Sequence, residues 1–227
     1  MGLRAAIAVS LAFNFSVLVH AETEALSSLL ARMDQTAASF RTLSADVRWV
    51  AHTAVINEDT VDTGSMFLKR SKRDMRMRVE FNEPDRKSVA LHESKLEIYY
   101  PKIQSVDEYD IGNHRDLLEV FLVVGFGTSG KELSATFNVK VLGQEEIGGQ
   151  QTTLLELIPK SPQILRNLKR LDLWMSSELY PVQQKFYLPG GDYKLVTYTS
   201  VKMNLPLSDA DLKLKLPKDV KRVFPQK

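Results

Sequence analysis

Met75-Arg76-Met77-Arg78-Val79-Glu80-Phe81-Asn82-Glu83-Pro84 is the stretch whose reading decides the fold. Met75, Met77, Val79 and Phe81 alternate with Arg76, Arg78 and Glu80. A period of two gives a strand with one dry face and one wet face. The run stops at Asn82-Glu83-Pro84, residues that favour turns. Upstream, Leu43, Ala45, Val47, Trp49 and Ala51 alternate with Ser44, Asp46 and Arg48, and a further strand-like run covers 60–70. Downstream, similar runs occupy 88–92, 95–100, 104–111, 136–144, 152–158, 168–175, 182–188 and 193–203. Gly148-Gly149 and Pro189-Gly190-Gly191-Asp192 supply hairpin turns. Near the end, Leu212, Leu214 and Leu216 alternate with Lys213 and Lys215, which predicts one last strand. A spacing of about 8 to 12 residues between polar turns is the rhythm of an antiparallel meander. So many consecutive strands must curl into a barrel or split into a sandwich.

Helical periodicity is confined to a few places. Leu26, Leu29, Leu30, Met33, Ala37 and Phe40 recur at spacings of three and four, predicting an amphipathic helix over 22–41. Leu117 to Val124 is densely apolar and is followed by the glycine-rich 125–130, so one or two short helices are expected over 114–134 as an insert in the sheet. Residues 161–167 suit a short helical crossing. The fold class expected is mainly β (α+β), in one domain over 22–227.

The chain has 227 residues, 44% hydrophobic and 26% charged, which is enough for a sizeable core. Thirty basic residues against 28 acidic ones leave a net charge of +2, and no basic block is long enough to suggest nucleic acid. Arg4 precedes an uncharged apolar stretch, Ala5 to Val19, closed by Val19-His20-Ala21. That pattern predicts a secretory signal peptide over 1–21, cleaved, since the stretch is short of the ~20 apolar residues a spanning helix needs. No later segment is apolar enough to span as a helix. There is no cysteine, hence no disulfide and no acylated thiol. A soluble periplasmic protein is expected.

Motifs with chemistry are few. Gly125-Phe126-Gly127-Thr128-Ser129-Gly130 matches G-x-G-x-x-G, but dinucleotide binding needs a long helix and a parallel strand after it, and the next strand-like run begins too soon. His114-Arg115-Asp116-Leu117 imitates a kinase catalytic loop but has Phe121 where an asparagine is needed. His20, His52, His92 and His114 are scattered, and no metal-ligand spacing exists. There is no G-x-S-x-G. No catalytic residue, metal or cofactor is predicted. What remains is three apolar faces: Met75, Met77, Val79 and Phe81; Leu96, Ile98 and Tyr100; Leu171, Leu173 and Met175. They read either as ordinary core or as the lining of a cavity for an apolar ligand, with 117–124 as a lid.

Several short stretches, in order, resemble the periplasmic outer-membrane lipoprotein carriers of the LolA/LolB-like superfamily. They are 29–40 followed by Ser44-Ala45-Asp46-Val47; Gly64 to Arg70; Asn82-Glu83-Pro84-Asp85; Ser94 to Pro101; Leu157-Ile158-Pro159-Lys160; and Asn204 with Leu212 to Pro217 and Asp219-Val220. The chain departs from the family at Ser71, where a proline follows Lys-Arg, and at Glu93-Ser94, where Asp-Gly is usual. The resemblance implies an incomplete, curved antiparallel β-barrel with an N-terminal helix and a helical lid insert, whose cavity holds acyl chains of lipoproteins or other lipids. It implies no catalysis, and membrane-bound donor and acceptor partners. It also implies a lid arginine, Arg70 or alternatively Arg73, that hydrogen-bonds carbonyls of a lid containing Leu117, Leu118 and Phe121. An envelope sensor or scaffold of the same fold, and an enzyme acting on envelope lipids or glycans, are the alternatives.

Overall fold

The computed structural model describes residues 10–71, 75–112 and 124–225, with side chains from residue 25 onward. Twelve strands form one sheet in the order β12-β6-β5-β4-β3-β2-β1-β11-β10-β9-β8-β7. Its strands are β1 (Thr42–Thr53), β2 (Glu58–Arg70), β3 (Met75–Glu83), β4 (Lys87–His92), β5 (Lys95–Tyr100), β6 (Ser105–Asp110), β7 (Phe137–Ile147), β8 (Gln150–Pro159), β9 (Arg170–Met175), β10 (Pro181–Tyr187), β11 (Tyr193–Met203) and β12 (Lys221–Val223). Every neighbour pair is antiparallel except β12 with β6. The two outer strands, β12 and β7, do not pair, so the sheet curls without closing. Register shifts between β1 and β11, β2 and β3, β7 and β8, and β9 and β10 add local bends. At the shift in β2, a Cβ on Gly64 would run into the carbonyl of Glu80, so only glycine allows β2 and β3 to approach there.

Helix α1 (Ser10–Ser39) crosses the concave side, with α2 (Gly130–Thr136) beside it and α3 (Pro162–Leu165) linking β8 to β9. The helix begins earlier than the expected residue 22. The apolar stretch before it contains no glycine or proline, so nothing in the sequence interrupts the helix. Leu29, Met33 and Phe40 at the α1 end of the chain join Val124, Phe126 and Leu133 over a floor that includes Leu43, Leu68, Met77, Leu155, Leu171 and Phe186. That is the main core.

The expected final strand is corrected. Leu212 ends a 3-10 turn (Asp209–Leu212), and 213–217 make no ladder, although leucines and lysines still alternate in burial. This segment lies on the convex face of β2 and β3, and the strand that follows is the three-residue β12. Leu212 is buried there. The segment also changes the fate of charges expected in water. Arg78 and Glu97 are buried, but neither is alone. Arg78 lies over the Phe67 ring at 5.0 Å, pairs with Glu80 and donates to the Lys213 carbonyl. Glu97 accepts from Arg222 of β12 at 2.8 Å and lies 2.9 Å from His92 Nε2. Desolvation that would be prohibitive unpaired is offset by these contacts.

Candidate ligand-binding site

Strand registers place the predicted cavity residues on one concave surface. Met77 lies opposite Leu91, and Leu91 opposite Leu96. Val79 lies opposite Val89, and Val89 opposite Ile98. Phe81 faces Gly64 across one ladder and Lys87 across the other. On the far side of the sheet's centre, Leu171, Leu173 and Met175 share this surface with Leu155, Leu157, Gln184 and Phe186.

Burial divides the surface in two. Met75, Met77 and Val79 are buried, and Leu171, Leu173 and Met175 are wholly enclosed at 0% exposure. These six lie in the packed interior under α1 and residues 124–137, where side chains fill the space. Phe81, Leu96, Ile98 and Tyr100 are only half-buried, as are Trp49 and Val89 beside them. The second group forms an apolar band that adjoins the core and, among the described residues, has less cover. Tyr100 carries its hydroxyl at the edge of the band, where burial, then the neighbouring Asp107 and Tyr109, raise its pKa.

Polar groups punctuate the band. Lys87 lies 2.7 Å from Asp62 and 4.9 Å from the centre of the Phe81 ring. Lys194 lies 5.5 Å from the centre of the Trp49 ring. Burial, and next the charge of Lys87, hold the Lys194 ammonium below the usual lysine pKa. Sequence reading missed Trp49, Asp62, Lys87 and Lys194 as site residues. Trp49 is visible as one of the alternating apolar positions of β1. The others become neighbours only through the pairings of β11 with β1, β1 with β2, β2 with β3 and β3 with β4.

The loop leading into α2 is tied down from three directions. Arg70 donates to the Gly127 carbonyl at 2.6 Å and to Glu132 at 2.8 Å. Ser129 and Glu132 form a reciprocal capping box at the start of α2. Burial pushes the Glu132 carboxyl up, but the Ser129 amide, the Arg70 charge and the Ser129 hydroxyl outweigh it and leave the pKa lowered. Beneath the loop, Tyr198 donates to Gln184 Oε1 at 2.6 Å, and Gln184 donates to the Val124 carbonyl at 2.6 Å. Both side chains are buried, so this pair satisfies groups that would otherwise be costly. Arg73, Leu117, Leu118 and Phe121 lie outside the described residues.

The G-x-G-x-x-G run has a packing explanation. Gly127 has φ +62° and sits against the Phe40 ring, while Gly130 sits on the Leu30 carbonyl of α1. A Cβ at Gly127 collides with that ring, and one at Gly130 with the α1 backbone. No parallel crossover follows, since α2 leads directly into β7, which pairs antiparallel with β8.

Among the described residues, no group of three or more His, Asp or Glu side chains is placed to hold a metal ion. Among them also, no helix is long and apolar enough to cross a membrane. The arrangement offers a dry surface bordered by cations and hydroxyls, which suits an elongated apolar ligand.

No protein-family model matches the chain, and no curated protein matches it in sequence. Solved structures do match. An uncharacterized conserved protein from Thermus thermophilus is 14% identical, over 87% of this chain and 98% of that one, with a TM-score of 0.54. MucB is 11% identical, over 88% of this chain and 65% of that one, with a TM-score of 0.51. A LolA superfamily protein from Nitrosomonas europaea is 13% identical over 81% of this chain and 96% of that one, with a TM-score of 0.39. The fold is shared with MucB and the Thermus thermophilus protein: an open, curled antiparallel sheet with helices in its concavity.

Proposed function

We propose that this protein binds or carries lipid-modified cargo of the cell envelope, holding acyl chains on its concave face without catalysis. One observation carries the reading. Trp49, Phe81, Val89, Ile98 and Tyr100 form a half-buried apolar band on the inner surface, and Trp49, Phe81 and Val89 pack against the core. An acyl chain laid along such a band gains about 0.8 kcal/mol for each CH₂ removed from water, so it can compete with a membrane. A carrier must also let go, and a band that is only partly enclosed favours exchange over permanent burial. The signal-like leader supports a periplasmic setting, where lipoproteins or related lipids are the available cargo.

The test is mass spectrometry of protein purified without detergent, together with uptake of a fluorescent fatty acid. Co-purifying lipid and saturable uptake are expected. The decisive variant is Ile98→Glu, because Ile98 is half-buried at the band and its replacement leaves the enclosed core intact. It should retain the circular dichroism of the parent and lose uptake at least tenfold. Absence of lipid together with absence of uptake by the parent protein overturns the reading. Transfer of cargo between two vesicle populations then separates a carrier from a binder that holds its partner in place.

A further inference from the structure

Among the described residues, one cation on the concave face has no counter-charge. Across β4, β3, β2, β1 and β11, the residues Lys87, Phe81, Asp62, Trp49 and Lys194 cross this face together. Lys87 lies opposite Phe81, Asp62 opposite Trp49, and Lys194 two residues from Val196, the partner of Trp49. Lys194 also lies opposite Phe186, a core residue, so it points to the inner side. Asp62 is engaged by Lys87 at 2.7 Å. Among the described residues the Lys194 side chain makes no ion pair and no hydrogen bond; its ammonium lies beside the Trp49 ring. A half-buried ammonium with an aromatic face and a like charge nearby is under-satisfied, and a ligand anion would supply the missing partner.

We propose that Lys194 binds the headgroup of a long-chain carboxylate whose hydrocarbon chain runs along Trp49, Phe81, Val89 and Ile98. This rests on the acyl-binding reading and deepens it by naming the ligand's head. One unpaired ammonium matches one negative charge, since Lys87 and Asp62 already neutralise each other. A carboxylate fits better than a phosphate. A phosphate offers more acceptor oxygens than one ammonium can satisfy and usually draws on guanidinium forks or clustered backbone amides as well, and this row contains no arginine and lies on strands whose amides are committed to ladders. The aromatic rings beside both lysines allow the first methylenes to pack where the charge ends.

The experiment measures displacement of a fluorescent fatty acid by palmitate, hexadecanol and lysophosphatidylglycerol from the full chain. The parent should bind palmitate about tenfold more tightly than hexadecanol, the worth of one charge-assisted contact. Lys194→Gln should bring that ratio to within about twofold of one, whereas Lys194→Arg and the outward control Lys202→Gln should keep it. Equal binding of palmitate and hexadecanol by the parent, or an unchanged ratio in Lys194→Gln, overturns the headgroup assignment while leaving acyl binding in place. Tighter binding of lysophosphatidylglycerol than of palmitate overturns the carboxylate assignment. Failure of every amphiphile to bind overturns both readings. Should Lys194→Gln not fold, the salt dependence of the parent's palmitate-to-hexadecanol ratio decides: a ratio that collapses in high salt supports the ion pair, and a constant one overturns it.

Discussion

Arg70 is the residue on which the loop before α2 most visibly depends. Its two hydrogen bonds reach a carbonyl, at Gly127, and a carboxylate, at Glu132, so a single side chain joins the end of β2 to the start of α2. Glu132 is more than half exposed, which screens the ionic part, and the bond to the carbonyl is the firmer of the two. Arg70→Leu should cost about 1–2 kcal/mol, read as a lowered denaturation midpoint, and should speed cargo release in a stopped-flow dilution assay without altering the far-ultraviolet spectrum. The buried Tyr198–Gln184–Val124 chain acts on the same loop from below. Gln184→Leu leaves the Tyr198 hydroxyl and the Val124 carbonyl unpaired, and should cost about 2–3 kcal/mol by urea titration. For a lid arginine the family resemblance offered Arg70 or Arg73 without deciding between them. Gln184 was not legible, since a glutamine among alternating residues of a strand looks like any solvated side chain until the register turns it inward.

At the scale of elements, the tail after β11 matters most. Its 3-10 turn brings Asp209 to Lys69 at 2.7 Å and to Arg76 at 3.0 Å, buries Leu212, and delivers Arg222 to Glu97 and Glu108. Glu97 sets an acid limit for this docking. Burial raises its pKa, but hydrogen bonds from His92 and Arg222 and their charges outweigh it, so the folded pKa lies below the ordinary value. A depressed carboxylate stabilises the fold above the unfolded-state pKa, and that contribution fades as pH falls through the folded one. Arg222→Gln should therefore lower stability near neutrality and flatten its dependence on pH in the acid range, in melting curves taken at stepped pH. Asp172 shows the opposite sign. Burial, opposed by Tyr187 and Arg170, leaves its pKa raised, so its ionisation costs stability as pH climbs past the ordinary carboxylate value. The alternation at 212–216 looked like a strand because burial alternates there in both states. Pairing is what the pattern does not encode: a partner edge is needed, and on this path the segment lies across a face.

For the whole molecule, the period-two runs made the open antiparallel sheet legible, from Leu43 at its centre to the hairpin at Gly148-Gly149. The division of its inner surface into a filled part and a half-buried band was not. Met77 and Ile98 have the same character in sequence, yet Met77 joins the packed core and Ile98 stays half-buried. The strand order has a consequence for how the chain acquires its shape. β1 sits between β2 and β11, and Leu43 meets Met203 although most of the chain lies between them. The meanders β2–β6 and β7–β10 need only local hairpins, but they become one sheet when β1 captures β11. Closing so long a loop carries a large entropic cost before its contacts reward it, so assembly is slow compared with hairpin formation. A chain still emerging from a ribosome has no β11 to offer, and it stays pliable until that strand has been made.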